Sequence, residues 1–152
     1  MTRFTAIETE NTAAHISAMG SDCDVLNVEA KGTIEASDTL ISIAERNAMR
    51  RAIRYPKFFG NALVKSAYKL IYKQKISRQY GALYRQLAAD TSRTALIFNG
   101  FLAPNALVDT AAQSLGMSCL YVENGFFPGT LQADRSGING LSSLPRDAAF
   151  YD

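Results

Sequence analysis

Apolar and polar positions alternate along this chain in two rhythms, a period near two in short runs and a period near four in longer ones. Residues 3–7 are compatible with a short strand, and residues 12–19 with a short helix ended by Gly20. Residues 24–29 alternate apolar and polar side chains and predict a strand closed by Lys31-Gly32. Ser37 or Asp38 can cap a helix that starts at Thr39 and runs to about Arg54. Tyr55-Pro56 breaks that helix, because the residue before a proline is pushed out of the helical region. Residues 60–89 are the longest helical candidate. Leu63, Ala67, Leu70, Ile71 and Gln74 keep a three- and four-residue spacing, and Ile76, Tyr80, Leu83, Tyr84 and Leu87 continue it with a small phase shift. The segment reads as one helix that could bend at Gly81, with two helices as the alternative.

The last third is the most regular. Residues 94–98 form a continuous apolar run suited to a buried parallel strand, ended by Asn99-Gly100. Residues 104–115 predict a helix with Pro104 in its first turn and a stop at Gly116. Residues 117–122 predict a second buried strand. Strand, helix and strand within about 30 residues make a βαβ unit, which implies a parallel pair. Beyond it lies a loop-rich stretch with Gly125, Gly129, Gly137 and Gly140. With no internal repeat, residues 1–152 read as a single α/β domain: a Rossmann-like, three-layer arrangement around a mainly parallel sheet.

Composition narrows this picture. Hydrophobic residues make up 47% and charged residues 20% of the chain, which fits a packed domain and excludes a disordered one. No run approaches the roughly 20 apolar residues of a membrane span, and acids at Glu8 and Glu10 interrupt any signal-peptide pattern. Cys23 and Cys119 lie far apart and read as reduced core thiols of a cytosolic protein. With His15 as the one histidine, they argue against a zinc site; His15 itself reads as a surface residue rather than a catalyst. The net charge of +2 conceals a strong asymmetry. Residues 1–45 carry −6, residues 46–85 hold eleven bases and no acid, and residues 86–152 carry −3. The basic block is either a solvated helix face, a membrane-binding face or a nucleic-acid face. Lys65, Lys69 and Lys73 recur every four residues and are the candidate contacts for an anionic membrane, with Phe58, Phe59, Tyr68 and Tyr72 nearby. Nucleic acid is set aside, because no sequence-reading motif accompanies the charge. No GxGxxG or Walker loop is present.

Candidate chemistry collects where the two best strands end, since open α/β sheets bind ligands beyond the carboxyl ends of their strands. Asn99-Gly100 and Glu123-Asn124-Gly125 sit at those ends. If the strands are neighbours, Asn99 and Glu123 face one crevice, where a carboxylate could act as nucleophile, base or acceptor for sugar hydroxyls. Turn formation by Asn-Gly and capping of a backbone amide by Glu123 are the plainer readings. Asp134 is a second carboxylate; Gln132 and Asp134 alternate with Leu131 and Ala133, so a short strand could present both on one face. An Asx-turn is its plainer reading. Two carboxylates in one cleft are the usual equipment of glycosyl chemistry.

The run from Tyr121 to Tyr151 resembles the bacterial capsule polysaccharide biosynthesis/export family. It follows that family's E-x-G-[YF]-x-P-x-T-x-Q-x-D-x-x-G-[VI]-N pattern and then S-x-L-P-R-D-x-x-F-Y. A looser similarity extends back to about Thr94. The resemblance implies a retaining β-Kdo glycosyltransferase that uses CMP-Kdo as donor, with no cofactor and no metal. It implies work in the cytoplasm, peripheral at the inner membrane, on a lipid or glycan acceptor such as lyso-phosphatidylglycerol, alongside capsule assembly or export proteins. It places Glu123 and Asp134 as catalytic carboxylates, and Asn99, Gly100, Asn124, Gly125, Gln132 and Asn139 around the substrate. Family members pair two Rossmann-like halves in a glycosyltransferase-B arrangement and are longer. The chain is therefore expected to correspond to the N-terminal half of a two-domain protein. It also departs from the family at its start, where no opening strand with a Gly-Pro loop is visible.

Overall fold

The computed structural model of the chain describes residues 3–9, 12–29, 32, 37–59, 61–125, 127, 130–137 and 143. Among these residues, five strands and five α-helices follow one another as β1 (Phe4–Ala6), α1 (Ala13–Met19), β2 (Cys23–Val25), α2 (Asp38–Arg54), α3 (Pro56–Phe59), α4 (Ala62–Ala88), β3 (Thr94–Phe98), α5 (Asn105–Ser114), β4 (Cys119–Asn124) and β5 (Leu131–Asp134). Each helix boundary has a local cause. Ser37 caps α2 by accepting from the Leu40 amide at 3.4 Å, and Asn61 caps α4 by accepting from the Leu63 amide at 2.8 Å. Gly20 ends α1 with φ of 57°, a left-handed value that glycine tolerates best.

The strands form one sheet in the order β2-β1-β3-β4-β5. The first four are parallel and β5 is antiparallel to β4. The βαβ unit expected from β3, α5 and β4 is present, with Phe98 opposite Val122 at its far end. Alternating side chains divide the core between the two faces. Ile7, Ala95 and Ile97 pack under α2, α4 and α5, against Leu40, Leu83 and Leu107. Ala6, Leu96 and Val122 face the other way and pack with Ile16 of α1. Helices on both faces of a mainly parallel sheet make the fold Rossmann-like α/β.

Several sequence expectations change in the folded chain, and the strand expected over residues 24–29 is confined to Cys23–Val25. Residues 117–122 were expected to be the strand, but β4 runs from Cys119 to Asn124, because pairing with β5 draws Glu123 and Asn124 into the ladder. The longest helix is continuous through Gly81, with no bend needed to explain that glycine. Gly81 instead admits the backbone of Gly32, whose amide donates to the Arg78 carbonyl at 3.1 Å. The phase shift within α4 is also larger than expected. Ile76, Tyr80, Leu83 and Leu87 are buried, whereas Leu63, Leu70 and Ile71 are exposed on nearly the opposite side, about half a helical turn away.

Candidate functional site

The β4–β5 pair assembles the polar residues of the C-terminal motif. Glu123 lies directly opposite Gln132, and Tyr121 opposite Asp134. Cross-strand partners and residues two apart share a face, so Tyr121, Glu123, Gln132 and Asp134 all project from the side on which α5 packs. Asn99 and Gly100 follow β3 next to this pair, and the Asn99 amide donates to the Val122 carbonyl at 3.0 Å. Asn99 and Glu123 therefore come next to each other at the carboxyl side of the parallel strands, although neither lines a described cavity, so the shared crevice is not seen there. Asn99 holds a left-handed φ of 47°, the turn role that its Asn-Gly setting implies. Gly125 donates to the Thr130 carbonyl at 2.8 Å, and a Cβ on it would collide with the Thr130 side chain. Its motif position is thus explained by loop closure. Asn124 is exposed, and Asn139 lies outside the described residues.

The two carboxylates differ in their surroundings. Both oxygens of Asp134 are engaged by its own loop: Oδ1 accepts from the Ser136 and Gly137 amides, and Oδ2 from the Ser143 amide and hydroxyl. These bonds, led by the Ser143 hydroxyl, hold its pKa down at about 2, against an ordinary 3.8. Because the folded pKa is depressed, this bracing is complete above the ordinary value and lost as pH falls through about 2. The protection of the Ser136, Gly137 and Ser143 amides, taken as their exchange relative to the intrinsic rate at each pH, is expected to fall between pH 4 and 2, ahead of amides in β3. Asp134→Asn is expected to show the lowered protection already at neutral pH. Unchanged protection across that window would remove the bracing role.

Beneath Gly100 sits a second polar group. The Tyr121 hydroxyl donates to Asp109 Oδ1 at 2.7 Å, and Gln113 Nε2 donates to the same oxygen at 2.7 Å. Burial, and then the Asp109 carboxylate, push the Tyr121 hydroxyl pKa up, so it stays protonated. A Cβ at Gly100 would come within 2.9 Å of Ile97 Cγ2, which accounts for a small residue there.

A described cavity lies elsewhere. It has a volume of about 610 Å³ and opens beyond the ends of β1 and β2, against one side of α4. Strand order reverses between β1 and β3, and such switch points are where open α/β sheets bind ligands. Ile7 and Glu8 arrive from β1, Val28 and Glu29 from the segment after β2, and Pro104 from the loop after β3. Gln74, Lys75, Arg78 and Gln79 complete the wall from α4. Among the described residues no ion pair joins these carboxylates and cations to one another. The wall therefore offers two acidic, two amide and two basic groups to a polar ligand. Glu123 lines none of the three described cavities.

No protein-family model matches the chain, and no solved structure matches it significantly. The chain is similar to Protein FixF of Sinorhizobium fredii (strain NBRC 101917 / NGR234), with 38% identity over 107 residues. The match covers 69% of this chain and 26% of FixF, so the chain spans about a quarter of that relative's length.

The basic residues divide by face. Lys65 and Lys69 line a gap of about 430 Å³ between α2 and α4, opposite Ala48, Met49 and Ile53. Lys69 pairs with Glu45 at 3.5 Å. The lysine spacing therefore marks the α2-facing side of the helix rather than its outer side, while Lys73 stands at the edge of a neighbouring gap. Phe58 and Phe59 belong to α3, and Tyr68 stacks on Tyr72 at 5.4 Å. His15 is half-buried and stacks on Phe98 at 6.2 Å, less exposed than a surface residue. Cys23 is buried and Cys119 half-buried; burial pushes both thiols up. No helix of the described residues is long and apolar enough to cross a membrane, and no cluster of three metal-ligating side chains forms among them.

Sequence reasoning passed over Glu8, Glu29, Lys75 and Arg78 as site residues. Glu8 carried a usable signal, since it is the first acid after the first strand. Glu29 and the α4 cations carried none, because only the crossover from β2 to β3 sets them beside Glu8.

Proposed function

We propose that the chain is one Rossmann-like unit of a glycosyltransferase of the capsule polysaccharide type, moving Kdo or a related sugar from a CMP-sugar donor to a lipid or glycan acceptor. One observation carries this reading: three polar residues of the C-terminal motif, Glu123, Gln132 and Asp134, share one face of the β4–β5 pair beside Asn99. Glu123 is the carboxylate assigned to the sugar, as nucleophile, base or hydroxyl acceptor. Asp134 positions the loop that follows. The switch-point cavity supports the reading independently. Its volume falls in the usual range for small ligands, roughly 300–1,000 Å³, and its carboxylates and amides suit sugar hydroxyls while Lys75 and Arg78 suit an acidic sugar or phosphate.

The test is a transfer assay with CMP-Kdo and a lyso-phosphatidylglycerol acceptor on the longest form of the protein. Turnover is expected in the wild type, with Glu123→Gln lower by roughly tenfold or more. Wild-type turnover in that variant would remove Glu123 from the reaction. The second reading is a non-catalytic module that holds an anionic glycan, lipid or protein partner, favoured by Lys75 and Arg78 in the cavity wall. Saturable glycan binding without transfer would support it.

A further inference from the structure

Between α2 and α4 lie two adjoining gaps, of about 430 Å³ and 240 Å³. Glu45 and Lys69 line both, so the gaps make one trough with that ion pair at its middle. Along α2 the trough extends from Ile41 to Ile53, about 18 Å of helix. Ala44, Ala48 and Ala52 recur every four residues along its α2 wall and leave the space open. Apolar side chains stand beside it that no described residue covers: Met49 is 66% exposed, Ile53 76% and Leu70 61%. Lys65, Lys69 and Lys73 rim the α4 side, and residues 46–85 hold no acid.

We propose that this trough is the docking site for an acidic amphipathic helix of a protein partner, with the partner's apolar side chains over Ala48 and Ala52 and its carboxylates against Lys65, Lys69 and Lys73. Shape and charge together select that occupant. Helix-in-groove recognition inserts an apolar stripe at three- and four-residue spacing, and about three turns of helix match the length of the trough. Small side chains on one helix let the axis of another come close. A basic rim with no acid following it in sequence calls for acidic flanks, which speed encounter and reject basic partners. A flat bilayer surface meets the rim of a concave trough but not its floor. A second copy of the chain lacks the required element. Among the described α-helices the acids are Asp38 and Glu45, both in α2 itself, and Asp109 of α5, which the Tyr121 hydroxyl already engages. The docking does not depend on sugar transfer, and the switch-point cavity, lined by Ile71, Lys75 and Arg78, lies on another side of α4.

Fluorescence anisotropy of a labelled peptide, titrated with the 152-residue chain, tests it. The probe is a synthetic helix of about 18 residues, with leucine on one face and glutamate on its flanks. A scrambled peptide of the same composition is the control. The wild type is expected to bind the amphipathic peptide about tenfold or more tighter than the scrambled one. Met49→Ser with Ile53→Ser is expected to weaken that binding by roughly tenfold or more. Lys65→Gln with Lys69→Gln is expected to weaken it by roughly fivefold or more. Lys75→Gln with Arg78→Gln removes the same charge outside the trough and is expected to change it by less than about twofold, because screening weakens charges a helix diameter away. The charge pairs keep the test decisive should the serine variant fold poorly. A wild type that binds neither peptide, or both equally, overturns the proposal. So does equal loss from the two charge pairs, which would mean diffuse attraction. Peptide-free self-association lost in the serine variant would assign the trough to a second copy, and sedimentation with phosphatidylglycerol vesicles lost in that variant would assign it to lipid; either result overturns the proposal.

Discussion

Gly32→Val is expected to be among the most destabilising single substitutions in the chain, moving its urea midpoint well below that of the wild type. Gly32 lies against the middle of α4, and its amide donates to the Arg78 carbonyl at 3.1 Å. A Cβ placed there would stand 2.5 Å from the Gly81 carbonyl carbon and against the Ala82 amide nitrogen. Both are backbone atoms of a continuous helix, so no side-chain rotation relieves the overlap. Gly81 already lacks a side chain, so the approach has no further room. Relief must come by lifting the segment after β2 from α4, which also strains the reciprocal bonds between Gln86 and the Asn27 backbone, at 2.9 and 3.0 Å. Overpacking of this kind costs about 3 kcal/mol or more, a large part of the roughly 5–15 kcal/mol that holds a domain folded. Urea titration followed by circular dichroism measures it. Gly32→Ala is expected to cost less but to shift the midpoint in the same direction. A Gly32→Ala midpoint equal to the wild type would show that the segment can move away without penalty.

Leu83→Ala is expected to destabilise the chain by about 3 kcal/mol, while Leu70→Ala in the same helix changes stability by less than about 0.5 kcal/mol. Leu83 is fully buried in the core that joins α4 to the sheet, whereas Leu70 is 61% exposed. The two leucines are chemically identical and both sit in helical spacing, so local propensity cannot separate them. Only the reversal of the apolar stripe along α4 does. Paired denaturation curves decide the matter, and similar losses at both positions would mean that the first half of α4 is packed after all.

Much of the architecture was legible in the residues. The apolar run of β3, Asn99-Gly100 after it and the helical spacing of α5 act over a few neighbouring residues, so spacing and turn chemistry reveal them. The break at Tyr55-Pro56 follows from proline sterics. The alternation of Gln132 and Asp134 sufficed to place both on one face. The amphipathic direction of α4 was misjudged, since an apolar stripe in sequence does not say which neighbour covers it. Glu123 was expected beyond its strand, but antiparallel pairing with a segment eight or more residues later extends the ladder through it. Local turn chemistry accounts for half of what Asp134 does, since its Ser136 and Gly137 donors lie two and three positions on, as an Asx-turn predicts, whereas the two donors from Ser143 lie nine positions on and are brought there by the folded loop. The cavity is the extreme case. Glu8 and Arg78 are seventy positions apart, and no local pattern encodes their meeting; it follows from placing β1 between β2 and β3 in the sheet, so that the chain must cross over it between those two strands. Elements arise from short-range sterics and solvent periodicity that each segment carries in itself, whereas a site is a juxtaposition that exists only after distant segments have buried their apolar faces against one another.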